Sequence, residues 1–228
     1  MARTDAKDTF IPYAPTHDAN FYPETDGEPM AASDYHRRLL MWTLQALEAH
    51  FAQKPEVYIS ADILMYYREG DPRKSIAPDL LVCFGINPKP RRTYKIWEEG
   101  KAPDFVMEFS SESAYHKDLD EKMEVYASLD IQDYFLYDAE GLYLPSPLMG
   151  FTLMNGSYVA ISPDDDGGLR SSVLDLDFRL QGTEIRIYDP STNEWVQTLT
   201  ERETARAETA EAEVAQLRKE LERLKARS

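Results

Sequence analysis

Apolar positions recur at helical spacing through Leu39, Leu40, Trp42, Leu44 and Leu47, and Ser33 or Asp34 stands where an N-cap belongs. The pattern therefore predicts a helix running to about Gln53. Short apolar runs bounded by Gly, Pro and charged turns follow at Val57 to Ile59, Ile63 to Tyr67, Leu80 to Phe84 and Phe105 to Phe109, and read as strands. A second helix is predicted from about Tyr115 to Leu129, then a strand from Tyr134 to Tyr137 and several hairpin-like runs up to Tyr188. Upstream, Pro12, Pro15, Pro23 and Pro29 among polar residues predict an extended arm over residues 1–30. Helices early and a β meander late make residues 31–198 an α+β (mixed α/β) domain.

From Leu199 onward there is neither Gly nor Pro, and Ala207, Ala210, Val214, Leu217, Leu221 and Leu224 follow at alternating steps of three and four. That is the a/d seam of a heptad repeat about three heptads long. Residues 199–228 are thus expected to form an amphipathic, coiled-coil-like helix, and a homodimer through it is one expectation.

Composition narrows the class. The 228 residues carry 41 acidic and 25 basic side chains, a formal charge of −16. Residues 201–228 are balanced, so the whole excess falls on residues 1–200. With 43% apolar and 11% aromatic residues the chain can bury a sizeable core. No run approaches the roughly 18 to 20 apolar residues of a membrane helix, and the N-terminus lacks the pattern of a signal peptide, so a cytoplasmic protein without membrane partners is expected. A single cysteine, Cys83, excludes an internal disulfide and a cysteine-based zinc site. His17, His36 and His50 show no mutual metal-ligand spacing. Net acidity argues against a broad nonspecific nucleic-acid surface. The segment 68–101 is nevertheless locally basic, and Lys89, Arg91, Arg92 and Lys95 form either a contact for a DNA backbone or a solvated loop.

Candidate chemistry lies in three acid-bearing elements: Pro78-Asp79 leading into LLVCF, Pro103-Asp104 leading into FVMEF with Glu108 inside the run, and the helix KDLDEKMEVYASL. Glu108 interrupts a buried-strand pattern, where an unpaired carboxylate is costly, so it needs a cation, a metal ion or a proton. At about 100° per helical residue, Lys122 lies about 40° and Tyr126 about 80° from Asp118, inside the apolar arc, while most of the other charges occupy the opposite side. A lysine in that arc either snorkels outward or meets buried carboxylates, with Asp79 and Glu108 as the candidates. Two carboxylates that hold Mg²⁺ and a lysine that orients the attacking water or offsets charge are what metal-assisted phosphodiester hydrolysis requires.

The strings PDLLV, PDFVMEFSSES and KDLDEKMEVYASLDIQDYFLYD resemble the Uma-type restriction endonuclease family, a branch of the PD-(D/E)XK nuclease superfamily, over roughly residues 30 to 190. The resemblance implies a restriction-endonuclease-like core, a mixed sheet flanked by helices, with Asp79 and Glu108 as ligands of Mg²⁺ or, in its place, Mn²⁺. It implies DNA as the partner and hydrolysis as the activity. The superfamily's lysine normally stands two residues after the acid, where this chain has Ser110. The family's helix pattern matches Asp118, Lys122 and Tyr126, so a lysine moved from strand to helix would restore the charge.

Plainer readings stand beside these. Asp79 could be a turn residue after Pro78, Glu108 half of a buried ion pair, and Lys122 a partner of Asp118 at i,i+4. Ser110 could contact a phosphate or cap a turn. Asp118 and Tyr126 could support the site from behind or simply pack. A rival function is a nuclease-fold module that no longer cleaves and assembles through its C-terminal helix.

Overall fold

The computed structural model describes residues 22–24, 34–111 and 115–226. Along them run α1 (Asp34–Phe51), β1 (Val57–Ala61), β2 (Met65–Tyr66), β3 (Ser75–Ile76), β4 (Leu80–Phe84), β5 (Tyr94–Lys95), α2 (Ile96–Glu99) and β6 (Phe105–Phe109). Then follow α3 (Tyr115–Leu119), α4 (Glu121–Ser128), β7 (Asp133–Tyr137), β8 (Leu148–Met154), β9 (Ser157–Ala160), β10 (Leu169–Ser171), β11 (Leu176–Gln181), β12 (Glu184–Asp189), β13 (Glu194–Trp195) and α5 (Leu199–Lys225). Apart from residues 22–24, the arm expected over residues 1–30 lies outside the described residues, as does an N-cap at Ser33.

The main sheet has the order β1-β4-β6-β7-β8-β9. Its pairs are antiparallel except β6 with β7, which the α3–α4 crossover joins in parallel. Because side chains alternate along a strand, each central strand feeds two cores. Leu80, Val82, Phe105, Met107, Phe109, Phe135 and Tyr137 pack with α1 and with the β10-β11-β12-β13 sheet, where Phe178 meets Phe105 and Phe135 at ring distances of 5.5 and 4.9 Å. Leu81, Cys83, Val106, Tyr134 and Leu136 pack on the opposite face with Tyr126, Tyr58 and Tyr94. A small β3-β2-β5 sheet completes that side, and Tyr22 joins Tyr66 and Trp97 there. Cys83 is a fully buried apolar residue, and burial pushes its thiol up to about 12.

The helix predicted over Tyr115 to Leu129 is two helices in the structure. Asp120, at φ −116° and ψ −78°, separates α3 from α4. The chain leaves α4 through a Schellman turn: Ile131 N–H donates to Tyr126 O and Asp130 N–H to Ala127 O, with Asp130 at φ 57°. Asp tolerates that left-handed conformation better than most residues, and the turn delivers the chain directly into β7.

The predicted C-terminal helix is present as α5. Thr198 and Glu201 close a capping box at its start. Glu201 Oε1 also accepts from Trp42 Nε1 at 3.0 Å and Arg186 Nη1 at 3.1 Å, which roots the helix on α1 and β12. Beyond Glu201 every described residue of the helix is exposed. Among the described residues, no helix is long and apolar enough to cross a membrane.

Candidate active site

Strand alternation places the two carboxylates. Val106 faces the α3–α4 side of the sheet, so Glu108, two residues on, faces it too. Asp79 stands two residues before Leu81, which faces the same side. Leu80 pairs with Met107 in adjacent strands, so the two acids meet where β4 begins and β6 ends. Backbone groups tie them together: Asp79 N–H donates to Glu108 Oε2 at 3.3 Å, and Phe109 N–H donates to Asp79 Oδ2 at 2.6 Å.

The crossover helices bring the rest. Lys122 Nζ lies 2.8 Å from Glu108 Oε2 and 3.0 Å from Asp118 Oδ1. Tyr126 donates its hydroxyl to Glu108 Oε1 at 2.5 Å, and Ser110 Oγ lies 2.9 Å from Asp118 Oδ2. Asp118 and Lys122 belong to different helices, yet the backbone bond from Glu124 N–H to Asp120 O at 3.1 Å keeps the register close enough for their i,i+4 pair. Glu108 is wholly buried, whereas a fifth of the Asp79 and Lys122 side chains is accessible, so the site opens on that side.

One ammonium cannot neutralise three carboxyls. Burial, with only partial relief from Lys122, pushes Asp79 up to about 7 and Glu108 up to about 8. Burial opposes the charge on Lys122, but Glu108, Asp118 and Asp79 outweigh it and hold its pKa above the ordinary lysine value. The site therefore carries surplus negative charge that a proton or a further cation must offset. Asp79 and Glu108 are the carboxylates that could hold a divalent cation. A hard ion such as Mg²⁺ fits this donor set, since it uses one or two carboxylates and fills its remaining positions with water or substrate oxygen. Among the described residues, no group of three or more His, Cys, Asp or Glu is arranged as a metal cage.

The structure brings together Asp79, Glu108, Ser110, Asp118, Lys122 and Tyr126, all drawn from the sequence. It does not bring the basic loop to them. Arg91 forks onto Glu99 at 2.6 and 2.7 Å, donates to the Asn87 and Lys89 carbonyls, and lies over the Tyr58 ring at 4.2 Å. Tyr58 pairs with Cys83, at the opposite end of β4 from Asp79. Lys95 is buried against Glu98 at 3.0 Å and over Tyr22, and Arg92 pairs with Glu24 at 2.9 Å. Of the two readings of this segment, a DNA-backbone contact or a solvated loop, neither describes Arg91 and Lys95, which are buried in ion pairs within the fold; Arg92 pairs with Glu24, and among the described residues Lys89 is the exposed one of the four outside an ion pair. A locally basic composition could not reveal that acids within the same segment take up the charge.

Two neighbours escaped the sequence reading. His36 of α1 places Nε2 3.9 Å from Asp79 Oδ2, and burial lowers its pKa. Its signal was its place three and four residues before Leu39 and Leu40 on the buried stripe of α1, rather than any spacing to another histidine. Tyr134 of β7 donates to Asp118 O at 2.9 Å, which fixes the junction of α3 and α4 over the sheet.

A mixed sheet with two acids on adjacent strand ends, and a lysine delivered to them by the crossover, defines a mixed α/β protein with a buried acid–lysine centre. The chain belongs to the Uma2 family, described as "Putative restriction endonuclease", whose model matches residues 17–216. Its mixed sheet flanked by helices is the mixed α/β class expected from the sequence. A solved structure from Anabaena variabilis, described as "a putative nuclease belonging to DUF820", is similar at 11% identity and a TM-score of 0.46, covering 62% of this chain and 74% of that one. No curated protein matches the chain.

Proposed function

We propose that this chain hydrolyses DNA phosphodiester bonds at the Asp79–Glu108–Lys122 centre with Mg²⁺, for which Mn²⁺ can substitute. The observation that carries the reading is the contact of Lys122 Nζ with Glu108 Oε2 at 2.8 Å, on the buried face that also holds Asp79. Asp79 and Glu108 would be the metal-holding carboxylates, and their surplus negative charge favours a divalent cation there. When bound, Mg²⁺ supplies Lewis acidity at a phosphoryl oxygen and a lowered pKa for coordinated water. Lys122, accessible on one side, orients the attacking water or offsets charge developing on the phosphoryl group. Tyr126 fixes the Glu108 carboxylate, and Asp118, itself held by Ser110, fixes the lysine. The reading carries with it a cytoplasmic location.

The test is nicking of supercoiled and mixed-sequence DNA in Mg²⁺ or Mn²⁺ by the wild type, Glu108→Ala and Lys122→Ala, each verified as folded by circular dichroism. The expected result is metal-dependent cleavage that falls about 10²-fold or more in each variant. Cleavage that survives Glu108→Ala would overturn the site. A wild type inactive with every metal and substrate would favour the non-cleaving assembly module instead.

A further inference from the structure

The helix α5 runs for 27 residues, about 40 Å, and beyond its first turn nothing described in the chain covers it. We propose that a second copy of the chain covers its Ala207–Leu224 stripe, forming a parallel, in-register two-stranded coiled coil. This inference goes beyond the proposed reaction, and its test needs no cleavage.

The stripe is apolar where it would be cheapest to be polar. Val214, Leu217, Leu221 and Leu224 are 47%, 56%, 51% and 56% exposed, in line on one side of a helix whose other residues are almost all Ala, Glu, Lys, Arg, Thr or Gln. With Ala207, Val214 and Leu221 at a and Ala210, Leu217 and Leu224 at d, the seam is continuous. In the central layer Val214 at a beside Leu217 at d is the combination that favours two strands, with Ala207 and Leu221 at the flanking a positions.

The flanking charges choose both the partner and its direction. The g positions are Arg206, Glu213 and Glu220, and the e positions are Glu211, Arg218 and Lys225. In a parallel pair each g residue meets the e residue five positions later on the other copy. Arg206 then faces Glu211, Glu213 faces Arg218, and Glu220 faces Lys225, so every pair is of opposite sign. An antiparallel pair that keeps the seam together would place Ala207 opposite Leu224 and would bring Glu213 and Glu220 together at g positions, a like-charge contact. Acids and bases are nearly balanced within the helix, so the acidic excess of the chain lies outside the seam. Because Glu201 roots α5 at its N-terminal end on Trp42 and Arg186, the parallel pair sets two catalytic domains at the same end of the stalk.

The experiment is sedimentation equilibrium of the full chain over a broad concentration range, with the double variant Leu217→Glu/Leu221→Glu as the interface probe. Both leucines are exposed in the single chain, so the domain's melting temperature should be unchanged while the dimer is lost. Glu213→Arg alone should weaken the dimer about tenfold, and adding Arg218→Glu should restore it. Leu224→Cys should oxidise to a disulfide-linked dimer, without interference from the buried Cys83. A wild type that stays monomeric throughout, or a dimer that persists in the leucine variant, would overturn the interface. A mixture of Ala207→Cys and Leu224→Cys chains that links preferentially between the two positions would overturn the parallel direction.

Discussion

Tyr126→Phe removes one oxygen from the site and leaves the ring in place. That hydroxyl donates to Glu108 Oε1 at 2.5 Å, and both side chains are fully buried. The ring keeps its edge contact with Tyr134 at 5.1 Å, so little packing is lost. What remains is a buried carboxyl oxygen without its donor, and above about pH 8, where Glu108 is ionised, a hydrogen bond to it is worth about 1.5–3 kcal/mol. The expected destabilisation is about 2 kcal/mol, or a fall in melting temperature of about 4–8 °C for a domain of this size. There is a second effect. The hydroxyl favours the ionised form of Glu108, so its loss raises further a pKa already pushed up by burial to about 8. The variant should therefore need more Mg²⁺ to reach half-maximal stabilisation at neutral pH. Calorimetry on Tyr126→Phe, Glu108→Gln and the double variant isolates the pair, and a coupling energy of about 1 kcal/mol or more is expected. Above about pH 8, a change in stability below about 0.5 kcal/mol, with no coupling, would refute the reasoning, because the hydroxyl would then not be bonded to an ionised carboxylate.

Arg91→Met should cost about 3 kcal/mol in chemical denaturation, since it strands Glu99 beside a site where the guanidinium is 2% exposed, while Lys89→Ala should stay within about 0.5 kcal/mol. The metal-free protein should lose stability as pH rises from about 4 through about 8, because Asp79 and Glu108 have folded-state pKa values raised above their unfolded ones, and the stability each contributes is full below the unfolded value and lost on ionising. Thermal melts at several pH values test this, and millimolar Mg²⁺ should flatten the profile at the alkaline end.

The fold was legible wherever a residue's neighbours along the chain determine its surroundings. The strands Leu80–Phe84 and Phe105–Phe109 have the limits that their apolar runs suggest, because strands buried on both faces admit few polar residues. The convergence of Lys122 on Glu108 was legible as well, since a helix with one charged residue in its apolar arc and a strand with one charged residue in its buried run have the same problem. What could not be read was anything settled by a distant partner. The break at Asp120 leaves the side-chain pattern intact, so periodicity does not register it. Arg91 looked available because Glu99 is eight residues away and the turn that brings them together has no sequence signature. His36 meets Asp79 only through the packing of α1 across the sheet.

The proposed role of Lys122 as a lysine moved from strand to helix can be tested by moving it back. Ser110 and Lys122 grip the two oxygens of one carboxylate, at 2.9 Å to Asp118 Oδ2 and 3.0 Å to Asp118 Oδ1. A side chain at position 110 therefore already points at the anion the lysine serves, and the longer lysine chain would have to fold into the space that Lys122→Ala vacates. Lys122→Ala alone leaves Glu108 and Asp118 buried without their cation and should cost about 3 kcal/mol. Adding Ser110→Lys restores the charge count and should recover most of that stability, along with a measurable part of the proposed cleavage. If the requirement is for positive charge between Glu108 and Asp118, the element that supplies it is interchangeable, and strand and helix become two routes to one electrostatic arrangement. Failure to recover either stability or cleavage in a folded double variant would refute that. The direction of approach from α4, and with it the Tyr126 bond that holds Glu108 to the same helix, would then be part of what the site requires.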